Sequence, residues 1–284
     1  MRKIIFIVAS AMLIAGQSIP AKANDQKVVA IIDTAVDVSR FDNIVYEVCF
    51  TLNTCPNGGN FMEGPGSANV SNFSVNGMSH GSNLVSVSRY TDPNVKIVFI
   101  RISDLNVYPK FSAIHTSGSS LERALDWVSK NATKHSIDAV SISQARTNFP
   151  AGTCPSSPTA EISVKKLLDI KIPTFAGSGN DGLKNKIAWP ACVPGIYPVG
   201  ALGPNGIIAS YSNTTSQVKV LANGCPAYSG NYCVKILDYM GVMRVMSGTS
   251  IATPTAAVKF ASSNMQVDQW LQSLSKLETY AVVK

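Results

Sequence analysis

Ser250 stands in the octet Ser247-Gly248-Thr249-Ser250-Ile251-Ala252-Thr253-Pro254, whose residue types suit a nucleophile at a helix start. Gly248 permits a tight turn, small residues follow it, and Pro254 falls near the first helical turn, where a missing N–H costs least. The free N–H groups and positive partial charge of a helix N-terminus suit a developing oxyanion. A lone Gly-Thr-Ser is usually an ordinary N-cap; the full octet is far more specific.

A serine hydroxyl attacks only when a positioned base removes its proton. The chain holds three histidines. His115 lies in a Ser/Thr-rich loop and His135 in Lys134-His135-Ser136, so both are expected on the solvated surface. His80, in Ser79-His80-Gly81-Ser82, opens an expected helix after a long loop and is the candidate base. An imidazole base in turn needs a carboxylate to fix its tautomer and stabilise its cation. Asp33 closes the apolar run 27–32 (KVVAII), where an ionised group must be paired to be tolerated. Asp37 is the nearby alternative, but it lies past the strand.

The elements that would carry these residues follow from pattern. Strands are expected over 27–32, 95–102, 138–143, 172–175, 196–200 and 218–221. Helices are expected over 81–89, 119–133 (capped by Ser119 or Ser120), 160–168 and 250–263. Val267, Trp270, Leu271, Leu274 and Leu277 recur at helical spacing and predict an amphipathic terminal helix. Residues 43–79, rich in Gly, Asn and Ser, read as a long irregular surface excursion. Strands alternating with helices predict right-handed βαβ units: a single α/β domain with a mainly parallel sheet and helices on both faces. Function collects at the carboxyl ends of such strands. Asp33 and Ser143 sit at two such ends, and Asn180 lies just past a third.

Taken together, these residues resemble the subtilisin-like serine protease (subtilase) family, whose triad runs in chain order Asp, His, Ser. The segment 29–37 (VAIIDTAVD) looks like the family's Asp segment, 79–82 like its His segment, and 247–254 like its Ser segment. The segment 174–182 (TFAGSGNDG) is similar to the one bearing the oxyanion-hole asparagine, while 189–200 and 210–213 follow the later strands. The resemblance implies a subtilisin-like fold and a serine endopeptidase acting through an acyl-enzyme, with Asp33, His80 and Ser250 as triad and Asn180 as oxyanion donor. It implies a groove in which Ser143, Gln144 and Ala145 form an edge strand pairing with an extended peptide. Gly177, Ser178 and Gly179 would form the opposite wall of the first specificity pocket. Two positions depart from the pattern: Ala35 and Ala145 stand where the family usually has glycine. The family's calcium-binding insertion after the His segment is absent, so neither metal nor other cofactor is expected. The span between Ala23 and Val28 leaves no room for a propeptide domain. The rival readings are a secreted binding protein without turnover, or an esterase or amidase using the same triad.

Residues 1–23 read as a secretory signal peptide: Arg2 and Lys3, an apolar stretch from Ile4 to Gly16, then Ala21-Lys22-Ala23 as cleavage site. That apolar stretch is too short for a membrane anchor, and no later one is long enough to span a bilayer. Cleavage would leave residues 24–284 as the peptidase domain and lower the formal charge from +7 to +4. So mild a basic excess, without a Lys/Arg run, argues against nucleic-acid binding. The expected partner is a peptide or unfolded protein, acted on by a monomer that is secreted or periplasmic. Six cysteines in an exported chain predict disulfides. Spacing pairs Cys49 with Cys55 and Cys225 with Cys233, leaving Cys154 and Cys192 for each other. By the family comparison, that last bond would brace the far end of the first specificity pocket. Ala188 and Trp189 nearby suggest an apolar pocket of modest size.

Overall fold

Along β1 (Val28–Asp33), Val28, Ala30 and Ile32 pack into one core while Val29 and Ile31 pack into another. Successive strand side chains alternate in direction, so a strand buried on both faces must be central and covered twice. The computed structural model describes residues 26–71, 77–108, 112–224, 235–237 and 242–283. In it β1 lies between β4 (Lys96–Arg101) and β7 (Ala139–Ile142), parallel to both. Beyond β7 follow β8 (Thr174–Gly177), β9 (Ile196–Leu202), β10 (Val220–Asn223), β14 (Tyr280–Val282) and β13 (Ser275–Leu277). Beyond β4 follow β2 (Ile44–Phe50) and β3 (Phe61–Glu63). Every neighbouring pair is parallel except the outermost at each edge, β13–β14 and β2–β3. The expected mainly parallel α/β sheet is therefore what forms.

Helices α1 (His80–Thr91), α4 (Thr249–Ser263) and α5 (Val267–Ser273) cover the Val29/Ile31 face. Helices α2 (Gly118–Asn131) and α3 (Pro158–Asp169) cover the other. Helix α4 is buried almost all round, from Ile251 to Ala261, as its run of small and apolar residues requires. Disulfides join Cys49 to Cys55 and Cys154 to Cys192, with Cα separations of 5.9 and 5.7 Å. The expected Cys225–Cys233 bond and the signal segment lie outside the described residues.

Several expectations need correction. The stretch 43–79 is not wholly irregular, since Ile44–Phe50 inserts as β2 beside β4, burying Val48, Cys49 and Phe50. The terminal segment is helical only to Ser273; Leu274 is extended (ψ 147°), and Leu277 belongs to β13, which pairs with β14. Ser117, not Ser119 or Ser120, caps α2, its side chain accepting from Ser119 N–H. His115 sits on an antiparallel hairpin of β5 (Ser103–Val107) and β6 (Ser112–Thr116) and is exposed. His135 is half-buried, its ring 4.2 Å from that of Tyr46 and 5.3 Å from that of Trp127. Burial lowers its pKa, with Lys134 adding to the effect.

Candidate active site

Where the strand order reverses, the sheet leaves a crevice. After β1 the chain builds β2 and β4 on one side, then returns to place β7 on the other. The carboxyl ends of β1 and β7 therefore open between diverging connections, the usual ligand position in such sheets. Asp33 ends β1, and Ser143, Gln144 and Ala145 run on from β7. The alternation that sends Val29 and Ile31 toward α1 and α4 sends Asp33 the same way. Both helices bring a candidate residue to that face: His80 opens α1, and Ser250 lies in the first turn of α4.

Asp33 is completely buried, and its Oδ1 lies 2.7 Å from His80 Nδ1, with the His80 side chain 20% exposed. Burial alone would raise the carboxyl pKa; the His80 charge, the His80 hydrogen bond and the donors Thr34 N–H and Gln144 outweigh it and hold the pKa below the ordinary value. Burial likewise disfavours the imidazolium, but the Asp33 charge and hydrogen bond win, and the His80 pKa is raised. With Nδ1 committed to the carboxylate, Nε2 is the nitrogen left to accept a proton.

Thr34 and Gly81 place His80. The Thr34 hydroxyl donates to Met78 carbonyl (2.9 Å) and accepts from Gly81 N–H (3.0 Å), tying the start of α1 to the end of β1. A Cβ on Gly81 would meet Ala35 carbonyl oxygen and Phe99 Cζ, each at 2.4 Å, so this close approach demands glycine. Ala35 itself is fully buried and has no left-handed φ, so alanine in place of the family's usual glycine carries no backbone strain there.

Ser250 and Asn180 meet around Gly248. A Cβ there would lie 2.9 Å from Ser250 Oγ and 3.4 Å from Asn180 Nδ2, so both groups flank one small space that glycine keeps open. Gly248 has φ 141° and ψ 159°, a conformation essentially restricted to glycine. Asn180 Oδ1 accepts from Thr249 N–H (2.8 Å) and Thr249 hydroxyl (3.0 Å). That engagement leaves Nδ2 on the side facing Gly248. Asn213, fully buried, accepts from Asp181 N–H (3.0 Å) and Leu183 N–H (2.9 Å) and so fixes the loop after Asn180. Among the described residues no hydrogen bond joins Ser250 to His80. Such contacts often tighten only when substrate binds.

The expected groove residues divide. β7 is not an edge strand, since β8 and β1 flank it; only its continuation leaves the sheet. The Ser143 hydroxyl donates inward to the Ser250 carbonyl (2.9 Å), and Gln144 Nε2 donates to Asp33 Oδ2 (3.1 Å). Exposed Ala145 and Arg146 border a hollow of about 50 Å³ with Gly118, Leu121 and Trp189, and the Arg146 guanidinium lies over the Trp189 ring at 4.5 Å. Gly177, Ser178 and Gly179 are buried; Gly179 has φ 109°, and a Cβ on it would lie 2.3 Å from Asn213 Nδ2. The Cys154–Cys192 bond borders a larger hollow of about 480 Å³. Lys184, Asn185, Lys186 and Gln217 line it, so this hollow is polar and cationic, and Ala188, Trp189 and residues 177–179 are not among its lining. The sequence carried no sign of the Thr34, Gln144 or Asn213 contacts, because each joins segments far apart in the chain.

A buried Asp–His couple, a helix-start serine and an amide beside it are the parts a subtilisin-like serine hydrolase requires. The model of the subtilase family matches residues 24–278; the chain belongs to this family and is a serine-type endopeptidase. It is 24% identical over 246 residues to subtilisin DY of Bacillus licheniformis, covering 81% of this chain and 73% of that protein. It is 30% identical over 142 residues to the minor extracellular protease Epr of Bacillus subtilis, half of this chain but 19% of that one. Among solved structures, a protease from Pseudoalteromonas arctica superposes with TM-score 0.68 at 18% identity, covering 91% of this chain and 86% of that one. Likeness at that identity speaks to the fold.

Proposed function

We propose that this protein is an exported endopeptidase in which Ser250 attacks the scissile carbonyl. His80 takes the hydroxyl proton and returns it to the leaving amine, while Asp33 holds the imidazole. Asn180 Nδ2 donates to the tetrahedral oxyanion. The acyl-enzyme on Ser250 is then hydrolysed by water, with His80 again as base. The observation that carries this reading is the 2.7 Å contact between a fully buried Asp33 and His80 on the face where Ser250 arrives. An extended peptide lies between the backbone of residues 143–145 and that of 177–179. Residues 1–23 are removed on export, leaving 24–284 as one peptidase domain. The two disulfides and the likeness to an extracellular protease support export.

Incubation of the purified protein with unfolded casein, with and without a sulfonyl fluoride, tests the reading. Casein cleavage, blocked by a single adduct that mass spectrometry locates on Ser250, is the expected result. An adduct on Ser250 with hydrolysis of small esters alone would point to an esterase. No adduct and no cleavage would leave a binding protein. N-terminal sequencing of exported material should begin at Asn24.

A further inference from the structure

We propose that Gln144 is a positioning residue for Asp33, its side-chain amide holding the carboxylate oxygen that His80 does not touch. The proposal rests on the reading of Asp33, His80 and Ser250 as the catalytic set. A carboxylate offers about four acceptor sites, and one buried without enough donors is costly. Asp33 is fully buried; His80 Nδ1 takes Oδ1, and Gln144 Nε2 meets Oδ2 at 3.1 Å.

Gln144 is itself oriented. Its Oε1 accepts a long hydrogen bond, 3.5 Å, from the Thr116 hydroxyl, which lies 2.6 Å from the Ser103 hydroxyl. Two residues on, Arg146 and Trp189 exchange backbone hydrogen bonds of 3.0 and 2.9 Å, clamping the segment that carries Gln144. Only the amide nitrogen suits a carboxylate partner, so the polar chain from Ser103 to Asp33 has one consistent direction.

The chemistry of the donor matters as much as its place. A lysine or arginine at 144 would compete with the imidazolium for the Asp33 charge. A neutral amide fixes the carboxylate and leaves most of that charge to His80. Removing the donor makes Asp33 a more basic partner, so His80 holds its proton to higher pH. An added carboxylate at 144 pushes the same way more strongly.

The test uses Gln144→Met, which keeps the length without the donor, and Gln144→Glu, which keeps the shape and adds charge. kcat and KM for a peptide substrate are measured across pH. His80 is titrated by NMR in the same two variants carrying Ser250→Ala, a readout independent of turnover. In Gln144→Met, kcat should fall about tenfold with KM little changed. The acid limb of kcat/KM and the His80 titration should rise by roughly half to one pH unit. Gln144→Glu should raise both further. A His80 titration that stays in place or moves down in both variants would overturn the proposal. So would an effect confined to KM, which would leave Gln144 as a groove wall alone. Turnover surviving in Ser250→Ala would instead sink the catalytic set, and the NMR titration would still report on the Gln144–Asp33 contact.

Discussion

Ser250 is half-exposed at a helix start, and among the described residues its carbonyl accepts from Ser143 while its hydroxyl makes no hydrogen bond. Ser250→Ala should therefore leave the melting temperature nearly unchanged while casein hydrolysis falls by several orders of magnitude. His80→Ala should cost a similar amount and the double variant little more, because the groups act as one unit. Asn180→Ala should lower kcat by roughly 10²–10³ with a smaller change in KM, the loss expected for one oxyanion donor; a change in KM alone would refute its role. The pH behaviour follows from the pair. In the proposed mechanism His80 must be neutral to act as base; its pKa is raised, so kcat/KM should fall as pH drops through a limb centred above 6.5. Stability runs differently. The depressed Asp33 pKa contributes stability above 3.8, lost as pH falls through the folded value, and the raised His80 pKa contributes fully below 6.5, lost as pH rises through the folded value. The pair should thus stabilise most between those two values, below the pH at which it works fastest. Melting of wild type against His80→Ala across pH measures this directly.

At the scale of elements, the site depends on how α1 meets the end of β1. Gly81→Ala would drive a methyl into the Ala35 carbonyl and the Phe99 ring, shifting His80 away from Asp33. It should destabilise the fold by about 1–3 kcal/mol, as overpacking does, and lower kcat at least tenfold in steady-state assays. Thr34→Val should weaken the same junction by removing both hydroxyl contacts, which chemical denaturation would register. Much of this was legible in advance. An apolar run that ends in aspartate announces a buried strand, and the octet around Ser250 announces a helix start. What was hidden is the side-chain wiring between distant segments, such as Gln144 to Asp33 and Asn213 to the backbone after Asn180. β2 was overlooked for another reason. Its IVYEVCF pattern is a plain strand signal, outweighed by the glycines and asparagines that follow it. The expected terminal helix runs too far because Leu274 and Leu277 keep helical spacing although Leu274 is already extended and Leu277 pairs in β13. A period shared by two structures cannot separate them.

At the scale of the whole molecule, the Cys154–Cys192 bond ties the loop after β7 to the one before β9 across a 38-residue span. Replacing both cysteines by serine should cost roughly 3–4 kcal/mol by chain entropy, read as a lowered denaturant midpoint. No group of three or more metal-ligating side chains occurs among the described residues. Chelation should therefore leave turnover and melting unchanged; inactivation by EDTA that added calcium reverses would reveal a site elsewhere. The burial of α4 has a further consequence. It packs against α1 and the five strands β1, β7, β8, β9 and β10, so its seat exists only once those neighbours have come together. The helix that carries Ser250, the proposed nucleophile, is synthesised after all of them. On the proposed mechanism, turnover in a refolding experiment should therefore appear no earlier than the docking of α4 onto these strands.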